Sequence, residues 1–310
     1  MKTNLITLFL VLLFCLTISG AEIDDVINKS ILEGRRIKST PFKVHYIFEE
    51  KTFYPRNKIT QFLSDGKVEV EMKEMRTRNE KGESIPTKSI LDYSDEYKIA
   101  YSFSKRNTEL YWFNDKSKLV EYWGTSKPTV IEIYDEKQTK VFFEPEYLDP
   151  RKNEKFTKKY GKIYEEKLLA PKFPRFYPFE VWQQFDVKPD KYKYTKKDNG
   201  DFCIDASDKI HNKGEILISE KNNFMVHSVD FEINNHPYQF RKILKTVRIK
   251  DFVLPGEVES MEFNKEMQPK VYKHYYDFKY QVLSEQEFQN EMSFNYPEDT
   301  KMGKLPFLPE

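Results

Sequence analysis

The chain predicts a mainly β, α+β fold: a large curved antiparallel sheet or half-barrel covered by a few helices. Three observations carry this. First, the stretch 214–282 reads as a meander of long strands. In its last member, Val271 to Val282, the residues Tyr272, Tyr276, Phe278, Tyr280 and Val282 fall on one side, with Lys273, Asp277, Lys279 and Gln281 on the other. A sheet with one dry and one wet face requires that period of two. Second, strand-like segments recur every 8 to 12 residues with polar turns between them, which favours antiparallel pairing over βαβ units. Third, 25 Phe and 20 Tyr against only 10 Gly supply the rings to build a broad packed layer and exclude disorder.

The first residues differ in kind from the rest. Lys2 precedes an apolar run from Leu5 to Ile18, and Ser19, Gly20 and Ala21 follow as small residues. The run is shorter than the roughly 20 residues a spanning helix needs. It reads as a signal peptide over 1–21, cut after Ala21. Cys15 lies inside the apolar run behind bulky Phe14, which argues against a lipid-modified cysteine. Removing Lys2 takes the basic count from 51 to 50, against 50 acids. A balanced chain of this kind is not a nucleic-acid binder, which gathers a basic surplus on one surface. Cys203 is then the one remaining cysteine, and it reads as a structural thiol between Phe202 and Ile204.

Glu22 to Arg36 predicts a helix, from Ile23, Val26, Ile27 and Ile31 at helical spacing and Gly34, Arg35 and Arg36 at its end. Strands follow at Phe42–Phe48, Ile59–Phe62 and Val68–Met75, with turns at Asp65–Gly66 and 79–82. Tyr97–Phe103 is a strand, Lys105–Asn107 a turn, and Glu109–Phe113 the next strand. Asn114–Lys116 turns into Leu119–Trp123, and Thr129–Tyr134 and Thr139–Phe143 complete the series.

The rhythm breaks between Glu144 and Asp186. Phe156, Tyr160, Ile163, Tyr164 and Leu168 suggest an amphipathic helix weakened by Gly161. Pro178 is placed to open a second one, with Val181, Trp182 and Phe185 on one side. The segment 145–186 reads as a helical cover on the sheet. Strands resume at 192–194, 202–206, 215–219, 224–233 and 239–249. Pro255–Gly256 reads as a turn into 257–264. Ser284 with Glu287 has capping-box spacing, so a short helix opens there with Phe288 inward. Residues 22–294 thus form one domain, and 295–310 a loosely held tail.

Several stretches together resemble the LolA/LolB-type proteins of the bacterial envelope, the outer-membrane lipoprotein-sorting group. Glu109-Leu-Tyr-Trp-Phe-Asn-Asp115 is similar to that family's aromatic hairpin. Ile243–Phe263, with Leu254-Pro255, resembles its late strand pair, and Leu283–Phe288 the start of its closing helix. Phe294–Thr300 resembles the ending of some members, with Asp299 where glycine is usual. The central part, 138–198, has no counterpart.

The resemblance implies a periplasmic protein without cofactor, metal or catalytic group, peripheral to the membrane rather than spanning it. It implies a cavity between sheet and helices that takes a lipid or the acyl chains of a lipoprotein. The lining would be Tyr101, Phe103, Trp112 and Phe143 from strands, with Val181, Trp182 and Phe185 from the cover. The alternative is an envelope sensor or interaction protein that binds a protein partner with the same half-barrel. An enzyme reading finds little: the five histidines have no metal-ligand spacing, and no G-x-S-x-G elbow or phosphate-cradling glycine loop occurs.

Overall fold

The computed structural model describes residues 22–78, 84–135, 138–144, 148–149, 154–155, 159–164, 193–206, 213–233, 236–264 and 266–302. The expected signal peptide, most of the expected cover and the end of the tail lie outside them. So does the predicted turn at 79–82.

One 17-stranded sheet dominates the described residues, open at its edges and not closed into a barrel. Its spine is β1 (Phe42–Tyr54), with β18 (Pro269–Val282) on one side and β5 (Ile99–Phe113) on the other. Beyond β18 the neighbours run β17 (Phe252–Phe263), β16 (His236–Ile249), β15 (Met225–Ile233), β14 (Lys213–Ser219), β13 (Phe202–Asp205) and β12 (Tyr194–Lys196). All of these pairings are antiparallel.

On the far edge of β5 the sheet forks. Ile99, Ala100 and Tyr101 pair with β4 (Ser84–Ser94), which leads to β3 (Lys67–Arg78) and β2 (Ile59–Phe62). Asn107 to Phe113 pair with β6 (Lys116–Tyr122), which leads to β7 (Val130–Asp135), β8 (Gln138–Phe143) and β11 (Tyr160–Tyr164). β19 (Lys301–Met302) joins β11 in parallel. The two-residue pair β9 (Leu148–Asp149) and β10 (Glu154–Lys155) stands apart from the main sheet.

Among the described residues two α-helices cover opposite faces. α1 (residues 22–38) lays Ile23, Val26 and Ile27 on Phe202, Ile204, Ile216, Ile218 and Val229. Its last turn reaches Phe42 and Trp112 through Ile37. Arg36 fixes that end: it pairs with Glu33 and Asp251 and lies 4.0 Å over the Phe252 ring. α2 (Glu285–Met292) is capped as its spacing predicts, with Ser284 and Glu287 bonded reciprocally and Phe288 fully buried. It covers Tyr111, Val120, Ile131, Ile133 and Phe142 on the other face.

Four expectations need correction. Lys105–Asn107 is no turn but the middle of β5, paired throughout with Ile47 to Glu49 of β1. Pro255–Gly256 lies inside β17, whose reversal from β16 is made instead at Lys250–Asp251, with Lys250 at φ +55. The missing Pro255 N–H is accommodated by register shifts around Lys245 in the opposite strand. Residues 160–164 form a strand, not a helix, because five consecutive residues pair with β8. The tail is pinned as far as Met302, since Tyr296 packs near Phe142 and donates to the Lys162 carbonyl.

The dry side of the sheet changes face along its strands. In β1, Phe42, Val44, Tyr46 and Phe48 are buried on the α1 face, and the next buried residue is Phe53, of opposite parity. In β5 the switch runs from Trp112, Leu110 and Thr108 on the α1 face to Ile99 and Tyr101 on the other. β18 makes it at a bulge: Asp277, at φ +55, is the extra residue between partners His45 and Ile47. Tyr275, Phe278, Tyr280 and Val282 therefore line the α1 face, while Tyr272 and Tyr276 turn away. The single face predicted for this strand is thus split in two.

Candidate functional site

The switch produces an aromatic stripe on the face away from α1. Its axis is one cross-strand row: Phe103 opposes Lys51, Lys51 opposes Tyr272, Tyr272 opposes Met261, and Met261 opposes Phe240. Phe53, Ile99, Tyr101 and Phe263 fill in around it as one apolar cluster. The rings touch edge to face or tilted, with Phe53 5.7 Å from Tyr97 and 5.9 Å from Tyr101, and Phe240 6.4 Å from Phe263.

The stripe is not sealed. Phe103 is 43% exposed and Tyr97 38%. No described helix lies over it. Lys51 reaches over the Tyr101 ring at 5.3 Å and Lys242 over Phe240 at 5.0 Å, so both ends carry a cation on an apolar stem.

Beside the stripe, two residues further along each strand, runs a charged row: Lys105, Glu49, His274, Glu259 and Lys242. Tyr276 donates to Glu49 at 2.8 Å and accepts from Lys105 at 2.8 Å. His274 stacks on Tyr276, 4.8 Å between centroids, and its Nε2 lies 3.0 Å from Glu257 Oε1. Burial pushes the Glu49 carboxyl up, but hydrogen bonds from Tyr276 and Lys105 outweigh it and hold the group below its ordinary value. Lys245, then His274, hold Glu257 below its ordinary value too, against a smaller push from burial. Tyr272, half-buried and facing Glu259, is pushed up to about 12, so it stays a phenol.

Of the seven residues expected to line a cavity, the four described ones divide between the two faces of the sheet. Tyr101 and Phe103 belong to the stripe. Trp112 has opposite parity in the same unbroken strand and so points to the α1 face. There it is 1% exposed, stacked 5.0 Å from Phe42, with its indole N–H donating to the Ile37 carbonyl at 3.2 Å. It is a filled core position. Phe143, aligned with Thr108 through Val130 and Glu121, also faces the α1 side and is buried. Val181, Trp182 and Phe185 lie outside the described residues.

The stripe residues that the sequence reading missed are Phe53, Met261, Phe240 and Phe263. Their signal was present: Phe53 breaks the parity of Phe42 to Phe48. Cys203 is a free thiol whose pKa is raised by burial and then by neighbouring acids, as an unreactive position requires. Among the described residues no group of three or more His, Cys, Asp or Glu is placed to hold a metal ion. None of the helices described is long and apolar enough to cross a membrane.

No protein-family model matches the chain, and no curated protein matches it. Among solved structures it is similar to a LolA superfamily protein from Nitrosomonas europaea, at 10% identity and a TM-score of 0.37 over 86% of this chain and 96% of that one. An outer membrane lipoprotein-sorting protein domain from Vibrio parahaemolyticus gives 10%, 0.37, 85% and 97% on the same measures. A DUF1329 family protein from Desulfovibrio piger gives 8%, 0.35, 88% and 97%. Superpositions this loose carry no argument about function, which rests on the sheet itself.

Proposed function

We propose that this chain is an exported, non-catalytic envelope protein that holds a lipid or the acyl chains of a lipoprotein along the aromatic stripe. The observation that supports it most is the exposed Phe103 at the open end of a cross-strand row in which four of five strands place Phe103, Tyr272, Met261 and Phe240, with Lys51 as the fifth member. An apolar strip left accessible beside charged residues marks an interaction surface. An acyl chain gains about 0.8 kcal/mol for each methylene it buries, so such a strip binds without any reacting group. The charged row beside it would keep the polar end of the ligand in register with the sheet. Residues 1–21 serve in this reading as the export signal, and the place of action is the periplasm.

Native mass spectrometry of protein purified from a membrane-containing extract tests the proposal. Wild type should carry lipid mass, and Phe103→Asp should lose it while keeping its far-UV circular dichroism. Trp182→Asp asks the same of the proposed cover, Val181, Trp182 and Phe185. A clean apo mass for wild type, or full retention in Phe103→Asp, overturns the stripe as the binding surface. A co-purifying protein with no lipid would favour the partner-binding alternative.

A further inference from the structure

We propose that Arg106, at the fork where β4 and β6 part from β5, anchors a second binding site that takes a small oxyanion, carboxylate or phosphate. It lies on the α1 face, opposite the lipid stripe, and does not depend on that reading. The side chain is 14% exposed, with its guanidinium carbon 4.3 Å from the Phe48 ring centroid and 4.5 Å from that of Trp123. Trp123 stands one residue beyond the end of β6, so it walls the mouth of the fork.

Glu121 is the one carboxylate that meets this cation among the described residues. Its Oε1 lies 2.9 Å from Arg106 Nε, and its Oε2 accepts from the Trp123 indole at 3.1 Å. The Nε–H is not directed at that oxygen and makes no hydrogen bond, although its atom is fully buried. No acceptor among the described residues engages either Nη. Only Nε is fully buried; the two Nη groups keep an opening to solvent, through which an acceptor can reach them. Here a planar fork is held between rings with its Nε beside Glu121 and its two Nη groups facing no described acceptor, in the arrangement that receives two oxygens of a carboxylate or phosphate side by side.

The fork supplies room for the guest. Ser102 to Arg106 have no strand neighbour on that edge of β5 among the described residues, because β4 leaves at Tyr101 and β6 begins at Asn107. Their backbone groups are open there. Ser102 and Ser104 present hydroxyls on the same face as Arg106. Ring walls that exclude water strengthen any charge contact made between them.

The test titrates the full chain with inorganic phosphate and, separately, with acetate, at constant ionic strength with chloride as filler. Melting temperature and tryptophan emission are followed together. One of the two anions should give a saturable response, and which one it is identifies the class of oxyanion. Arg106→Gln should weaken that response at least about tenfold. Glu121→Gln removes the carboxylate that competes for the cation and should tighten it by a similar factor. No saturable response to either anion, or an equal response in Arg106→Gln, overturns the site. Should Arg106→Gln fail to fold, the Glu121→Gln arm decides: unchanged or weaker affinity there means that the pair is purely structural. Phe103→Asp should leave this titration unchanged, which separates failure here from failure of the lipid proposal.

Discussion

Trp112 and Phe103 occupy the same strand, and their opposite fates follow from parity alone. Nine residues apart in an unbroken strand, they must face opposite sides of the sheet. Trp112 has its ring against Phe42 and its indole N–H bonded, so replacing it with alanine opens a cavity and leaves the Ile37 carbonyl with the Thr40 N–H alone. Trp112→Ala should lower stability by about 3–5 kcal/mol, measured by urea unfolding. This division was hidden in the sequence because Lys105-Arg106-Asn107 has the composition of a turn, which would break the count between the two rings. The charges are instead strand residues whose partners come from elsewhere: Glu49 for Lys105 and Glu121 for Arg106. No local pattern announces partners that distant in the chain.

At the scale of single elements, most of the strands, the N-terminal helix and the capped helix at Ser284 were legible. Each is specified by spacing within a few residues. The failures are elements decided by neighbours. Tyr160, Ile163 and Tyr164 suit a helix period, but β8 offers a full ladder, and Gly161 lets Tyr296 and Met302 approach where any Cβ would sit 2.7 Å from them.

The bulge in β18 is the clearest case. Alternation over Tyr272 to Val282 predicts one face, and one extra residue at Asp277 divides it. Asp tolerates the left-handed backbone that this position requires, whereas a β-branched residue resists it. Asp277→Val should destabilise the protein by about 1–2 kcal/mol and Asp277→Gly should not, with denaturant midpoints as the measurement. Equal losses in both variants would show that the Asp277 carboxylate, which pairs with Lys279, matters more than its backbone.

Across the whole molecule, the charged row beside the stripe links β5, β1, β18, β17 and β16. Glu49 and Glu257 are both held below their ordinary pKa, so each stabilises the fold above its unfolded value and loses that contribution as pH falls through its folded one. Melting temperature should therefore decline as the solution is acidified below about pH 4. Glu257→Gln should begin lower at neutral pH and show a shallower acid decline. An acid limb identical to wild type would remove Glu257 from the account.

The exchange of dry faces along the central strands also governs how they can be aligned during folding. An ordinary alternating strand that slides by two residues keeps every apolar side chain on its proper side, so even-numbered misalignments are the hardest to reject. Here the crossover in β1 falls between Phe48 and Phe53, and those of β5 and β18 lie beside it. Sliding β1 by two would carry its crossover past theirs and could set Glu49 in the place of Lys51, between Phe103 and Tyr272. Odd shifts are refused by parity and even shifts by this landmark, so each of these long strands carries its own mark of where it belongs.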